Sequence, residues 1–330
     1  MGAVMKRLLI PFAFCLPLLF GAHVPNVGFS DRNVGLSNGL SSRNITSGPA
    51  GPAGPAGNIN SWSDLAAVGT NATTLDGNYT LGTDLSSSSS GYTGVGDMWG
   101  PIGDSTDEFT GTFDGQGYSI SDLIVPSASY TGAGLFGYMD GAGAIIQNLA
   151  VIDCSVTNTG DRTGSIVGAV TTGSTITNCY STGSVSGANY IGGAVGYIYA
   201  GTISYCYTTV TVSASGTYAG GLIGRTLDSA VSINSCFSVG GVTIAAGNGG
   251  FVGDLNTARQ NENGWYDFAG NPDFPLGDKI GIILDFETST LSDFYLSTFD
   301  IYDTGTYTWD FATPVWYVKA GALPVLRGQQ

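Results

Sequence analysis

A glycine-framed apolar cluster recurs along the middle of this chain, and its spacing restricts the fold more than any other feature. It reads Gly134-Leu-Phe-Gly137, Gly164-Ser-Ile-Val-Gly168, Gly193-Ala-Val-Gly196, Gly221-Leu-Ile-Gly224 and Gly250-Phe-Val-Gly253, with closing glycines 31, 28, 28 and 29 residues apart. Between clusters runs a second signature, isoleucine followed three residues later by a small apolar residue: Ile146 and Leu149, Ile176 and Cys179, Ile203 and Cys206, Ile233 and Cys236. Three of these continue into an aromatic (Tyr180, Tyr207, Phe237) and a valine six residues past the cysteine (Val185, Val212, Val242). A period in the high twenties, made of short β-branched runs jointed by glycine, is the signature of stacked β coils. One unit of that length cannot bury its apolar face alone.

Coils stacked with strands roughly 4.8 Å apart place like residues above like. The expected fold is therefore all-β, a right-handed parallel β-helix. It should hold an isoleucine column, a column of Leu149, Cys179, Cys206 and Cys236, and a valine column. Glycine at the corners is expected to supply positive φ or close backbone approach.

The segments Ile176-Thr-Asn-Cys-Tyr-Ser-Thr-Gly-Ser-Val185 and Tyr190-Ile-Gly-Gly-Ala-Val-Gly196 resemble the GLUG repeat of bacterial and archaeal surface and adhesin-like proteins. Phe109-Thr-Gly-Thr-Phe-Asp-Gly-Gln-Gly-Tyr-Ser-Ile-Ser-Asp-Leu123 is similar to the segment that precedes such repeats. Asn263-Gly-Trp-Tyr-Asp-Phe268, Trp309-Asp-Phe-Ala-Thr-Pro-Val-Trp316 and Leu323-Pro-Val-Leu326 resemble the segment that closes them. The resemblance implies a surface location and a β-helix far more strongly than an activity. GLUG-like segments also flank some zinc peptidases that cleave immunoglobulin A, but the HExxH that such chemistry needs is missing here.

The organisation follows in four parts. Residues 1–22 read as a secretory signal, with Lys6 and Arg7 ahead of the apolar run Leu8 to Phe20. Bulky Phe20 before Ala22 leaves an uncleaved anchor as the alternative. Residues 23–57 form a polar linker ending in three collagen-like Gly-Pro-Ala triplets, read as an extended spacer or as a trimer seed. Residues 58–253 hold the solenoid, begun by a capping turn or helix at Trp62 to Leu65. Residues 254–330, rich in Trp, Phe and Tyr, are expected to seal the last coil and stop end-to-end growth.

Only 11% of residues are charged and the net charge is −15. No basic patch exists to release counterions, which argues against nucleic acid and anionic membranes as partners. Between Asn58 and Gly253 the only cations are Arg162 and Arg225. Of five cysteines, Cys15 falls in the leader. Cys179, Cys206 and Cys236 are expected as buried free thiols, because stacked residues point in parallel rather than toward each other. Cys154 lies outside that ladder and is expected to be partly exposed. No paired CxxC spacing and no helping histidine accompany them, so no metal site is expected.

The single histidine, His23, sits at the start of the mature chain, which removes histidine-based nucleophile, zinc and general-base schemes. Carboxylate chemistry survives. Asp104, Asp107, Glu108 and Asp114 form the densest acid group, although turn and loop positions explain them as well. Calcium at that loop stays open. Gly132-Ala-Gly-Leu-Phe-Gly137 spells a dinucleotide fingerprint but belongs to the repeat, so no nucleotide is expected. Tyr190, Tyr197, Tyr199 and Tyr218 offer a sugar-stacking stripe on the outer wall, or simply repeat packing.

These readings make the chain a secreted or cell-surface adhesion or structural module with no catalytic, cofactor or metal-binding residues. It would meet an extracellular glycan or surface protein through loops such as Ser86 to Gly96. The alternatives are a carbohydrate-active β-helix lyase or glycosidase using the Asp104 to Asp114 acids, and a trimeric fibre or tailspike-like protein seeded by the Gly-Pro-Ala triplets.

Overall fold

The computed structural model describes residues 57–255 except residue 229. Beyond them it describes residue 323 and the strands Asn263–Asp267, Leu276–Lys279, Asp285–Ser289, Trp316–Tyr317 and Val325–Leu326. The expected leader and nearly all of the linker lie outside the described residues. Within them the chain is a parallel β-solenoid. A larger sheet stacks Thr112–Asp114, Ile145–Asn158, Ser174–Gly187 and the strands of the later windings. A smaller sheet stacks Phe136–Met139, Val167–Val170, Val195–Ile198, Ile223–Thr226, Val252–Leu255 and Leu276–Lys279.

The expected columns stand. Phe113, Ile146, Ile176, Ile203 and Ile233 lie in register, as do Val156, Val185, Val212 and Val242. Leu149 pairs with Cys179, and the Cys206 amide meets the Cys236 Sγ at 3.4 Å. Each thiol of the file lies 3.1–3.2 Å from the carbonyl two residues before it (Thr177, Ser204, Asn234) and 3.7–3.9 Å from that of an isoleucine one winding earlier (Ile146, Ile176, Ile203). All four described cysteines are free. Just outside this core, Tyr180, Tyr207 and Phe237 stack as a second file, with ring centroids 4.8 and 4.7 Å apart and nearly parallel planes.

One expectation fails, and a second holds for close approach more than for positive φ. Cys154 is not exposed but 2% accessible, facing inward and paired with Gly183. Its neighbour Asp153 has φ 51°, and that corner shifts the in–out alternation of the strand by one residue. Nor are the corners chiefly glycine. Asn148, Asn178, Tyr205 and Ser235 turn the chain at φ 49–52°, and Arg162, Tyr190 and Tyr218 do so at φ 58–63°. Asparagine tolerates this region through local hydrogen bonding, and Asn178 Nδ2 donates to Asn148 Oδ1 at 3.3 Å.

The framing glycines serve closeness instead. None of Gly134, Gly164, Gly193 and Gly221 has positive φ. A Cβ on Gly193 or Gly221 would fall within 3.0 Å of the carbonyl oxygen of Gly221 or Gly250, one winding on.

At the amino end, the helix Trp62–Ala67 is capped by Ser61, whose side chain accepts from the Asp64 amide. It buries Trp62 and Leu65 beside the first strand, Asn58–Ile59, so the cap expected there is a helix. At the other end the parallel pairing runs on past Gly253, where the sequence repeat stops. Asn263–Asp267 lies on Cys236–Ser238, Leu276–Lys279 on Val252–Leu255, and Asp285–Ser289 on Asn263–Asp267. The hairpin strand Val325–Leu326 packs against Ile145–Asn158 in the body of the rod, with Leu326 fully buried. Most of the aromatic segment expected to close the stack lies outside the described residues.

Candidate functional site

Two columns meet along one edge of the smaller wall. The left-handed corner residues Arg162, Tyr190 and Tyr218 stand one winding apart. Beside them run the outward residues Tyr138, Ala169, Tyr197, Arg225 and Asp254. Strand pairing fixes both, so residues far apart in sequence become neighbours. Arg162 Nη1 donates to the Tyr138 hydroxyl at 3.1 Å, and that hydroxyl donates to the Thr131 carbonyl at 3.2 Å. The same guanidinium stands 5.3 Å from the Tyr197 ring centre. It therefore bridges the two tyrosines over Ala169, which is fully buried.

Arg225 is held differently. Its guanidinium is 5.2 Å from both the Tyr190 and Tyr218 ring centres, and those rings stack 5.8 Å apart with planes within 6°. Its Nη1 donates to the Tyr190 hydroxyl at 3.3 Å. Its Nε lies 2.7 Å from Asp254 Oδ2, an ion pair in charge although the N–H points off the line of a hydrogen bond. Burial pushes the Tyr197 phenol up, against the opposing pull of Arg225 and Arg162. Tyr197 therefore stays a neutral hydrogen-bonding ring at neutral pH.

Of the expected sugar-stacking stripe, Tyr190, Tyr197 and Tyr218 come together. Tyr199 is 44% exposed and makes no ring contact among the described residues. The expected acids do not form one site. Asp104 accepts from the Thr106 and Asp107 amides at 2.7 and 3.0 Å, an Asx turn in a loop along the smaller wall. Asp114 sits on the larger wall and accepts from the Gln116 amide and from the side chains of Gln116, Gln147 and Asn148, all at 2.8–3.0 Å. Gly132 to Gly137 runs into the strand Phe136–Met139 rather than into a helix. Sequence reasoning named the tyrosines and left Arg162, Arg225 and Tyr138 aside. The signal was present: 162, 190 and 218 share one repeat phase, and 197 and 225 share another.

Residues 160–186 match the family described as the GLUG motif. The chain carries a GLUG motif. In the structure this GLUG motif is one winding, from the corner before Arg162 through Val167–Val170 and most of Ser174–Gly187. Halomucin of Haloquadratum walsbyi is 35% identical over 143 residues, which are 42% of this chain and 2% of halomucin. The chain thus spans a small fraction of that relative's length. A Bacteroides ovatus chain described as a candidate immunoglobulin A1 protease aligns with a TM-score of 0.49 and 16% identity, over 78% of this chain and 91% of that one. Likeness at that level leaves that protein's activity with that protein.

Proposed function

We propose that this chain is a secreted or cell-surface β-solenoid acting as a non-catalytic adhesion or structural module. The observation that carries the reading is the unbroken register of the inward columns, from Phe113 through Ile233 and from Val156 through Val242. Stacking of this kind makes a stiff rod whose outward residues repeat with the winding, the surface a multipoint contact needs. The GLUG motif and the similarity to halomucin support a surface setting. The non-catalytic part of the reading draws support from Asp104 and Asp114, each occupied in holding its own turn on a different wall. The test is binding of the full chain to a glycan array and to intact cells, beside turnover assays on the same glycans. Binding without turnover that survives Asp104→Ala and Asp107→Ala is expected. Bond cleavage lost in those variants would transfer the chain to the carbohydrate-active enzymes. Sedimentation reports separately on a trimeric fibre.

A further inference from the structure

We propose that Arg162, framed by Tyr138, Tyr197 and Tyr190, is a subsite for a uronic acid residue, the sugar carboxylate on the guanidinium and its apolar ring face on a tyrosine. This rests on the adhesive reading and names the ligand class.

Three observations carry it. First, the two arginines of the solenoid both lie in this face, in a chain of net charge −15. Second, they differ in how their charge is met. Arg225 is neutralised by Asp254, whereas Arg162 has no carboxylate partner among the described residues. Its chain neighbour Asp161 accepts instead from Asn189 Nδ2 at 2.8 Å. A guanidinium carries five N–H donors. Among the described residues Arg162 uses one of them, toward Tyr138, and its guanidinium also meets the Tyr197 ring. Third, the side chain is held in place. The Tyr138 hydroxyl is anchored on Thr131, the ring of Tyr197 lies beneath the charge, and Arg162 remains half-buried rather than swinging in solvent.

A planar guanidinium with free parallel donors matches a carboxylate in bidentate fashion. The partly exposed rings of Tyr190 and Tyr197, unlike buried Tyr138, can meet the flat apolar surface that one side of a pyranose presents. The net charge of −15 opposes binding driven by counterion release along a polyanion. It does not oppose one oriented carboxylate on one cation, because the repulsion is screened beyond roughly 10 Å at about 0.1 M salt.

The test is calorimetric titration of the full chain, in about 0.5 M NaCl to screen the net charge. The probes are trisaccharides of galacturonate, glucuronate and mannuronate, with maltotriose as the neutral control. At least one uronate is expected to bind and maltotriose to fail. Arg162→Gln is expected to weaken uronate binding at least roughly tenfold, the worth of a charge-assisted hydrogen bond. Arg162→Lys should fall between, and Arg225→Gln should lose far less. Undiminished binding in a cooperatively folded Arg162→Gln variant overturns the assignment. Equal binding of maltotriose, equal loss in Arg225→Gln, or no binding by any uronate does the same.

If Arg162→Gln does not fold, labelling of wild-type arginines with phenylglyoxal decides. Uronate should protect Arg162 and leave Arg225 unchanged, and failure to protect Arg162 sinks the proposal. Array binding confined to neutral glycans would overturn this subsite and leave the adhesive reading standing. Silence on every glycan and cell surface would overturn both.

Discussion

Replacing Gly193 by alanine adds one methyl group to a backbone with no positive φ, so any effect measures space alone. The new Cβ would lie within 3.0 Å of the Gly221 carbonyl oxygen and of both Thr208 Oγ1 and Cγ2. Thr208 is fully buried and the carbonyl is backbone, so neither gives way cheaply. Restoring ordinary contact means parting two windings by about 1 Å out of their roughly 4.8 Å spacing. The bonds from Gly193, Ala194 and Val195 amides to Gly220 and Leu222 carbonyls, now 3.0–3.2 Å, would stretch past useful length. Overpacking costs about 1–3 kcal/mol, and losing one or two of these bonds adds about 1 kcal/mol each. The smaller entropy of the unfolded alanine chain offsets about 0.4–1 kcal/mol. The net is about 3 kcal/mol, roughly 6–12 °C in Tm. The control is Gly143→Ala, where nothing lies within 4 Å and φ is not positive, so a small gain is expected. Urea melts of both variants, with hydrogen exchange resolved by winding, make the comparison. If Gly193→Ala melts no lower than Gly143→Ala, close approach is not what the framing glycines provide.

Tyr207→Ala removes the middle ring of the Tyr180, Tyr207 and Phe237 file, which is 2% exposed, and should cost about 3 kcal/mol or more in a denaturant melt. The solenoid thiols should resist alkylation in the native protein at pH 8 and react on unfolding, read site by site by mass spectrometry. Burial pushes the Cys154 thiol up to about 12 and the Cys179 and Cys206 thiols well above their ordinary value. With folded values above unfolded ones, this contribution to stability is complete below about pH 9 and is lost as pH climbs toward 12, so alkaline melts should show a decline from pH 9 upward. Asp114→Asn replaces an acceptor of four donors with a group that also donates, and should lower stability by about 1–2 kcal/mol without altering glycan binding, as melts and titrations together would report.

The solenoid and its columns were legible because their signal is local and repeated: Ile176 and Cys179 announce the same pairing as Ile203 and Cys206. What the repeat hides is where the chain turns. Glycine advertises positive φ or close approach, and the framing glycines take the second. The turns instead fall on Asn148, Asn178, Tyr205 and Ser235, residues with no common chemistry except their place before the inward file. There the stacked hydrogen bonds of neighbouring windings hold the conformation against side-chain preference. The same corner effect misplaced Cys154, since parity counted along the sequence does not survive a left-handed residue at Asp153.

The Arg162 site was illegible for a further reason. Tyr138, Arg162 and Tyr197 are 24 and 35 residues apart in sequence, and only register makes them neighbours. In a solenoid the inward positions must repeat, because each winding packs on copies of itself, and so they identify the fold. Outward positions are released from that demand. Position 169 can hold alanine where 138 and 197 hold tyrosine, and an arginine can stand at 162 where the next two windings place Tyr190 and Tyr218. Departures from the repeat on an outward column are therefore where a particular ligand can be specified. Arg162, with no carboxylate partner among the described residues, is such a departure, beside the Tyr138 and Tyr197 rings and one winding from the stack that holds the Arg225–Asp254 ion pair.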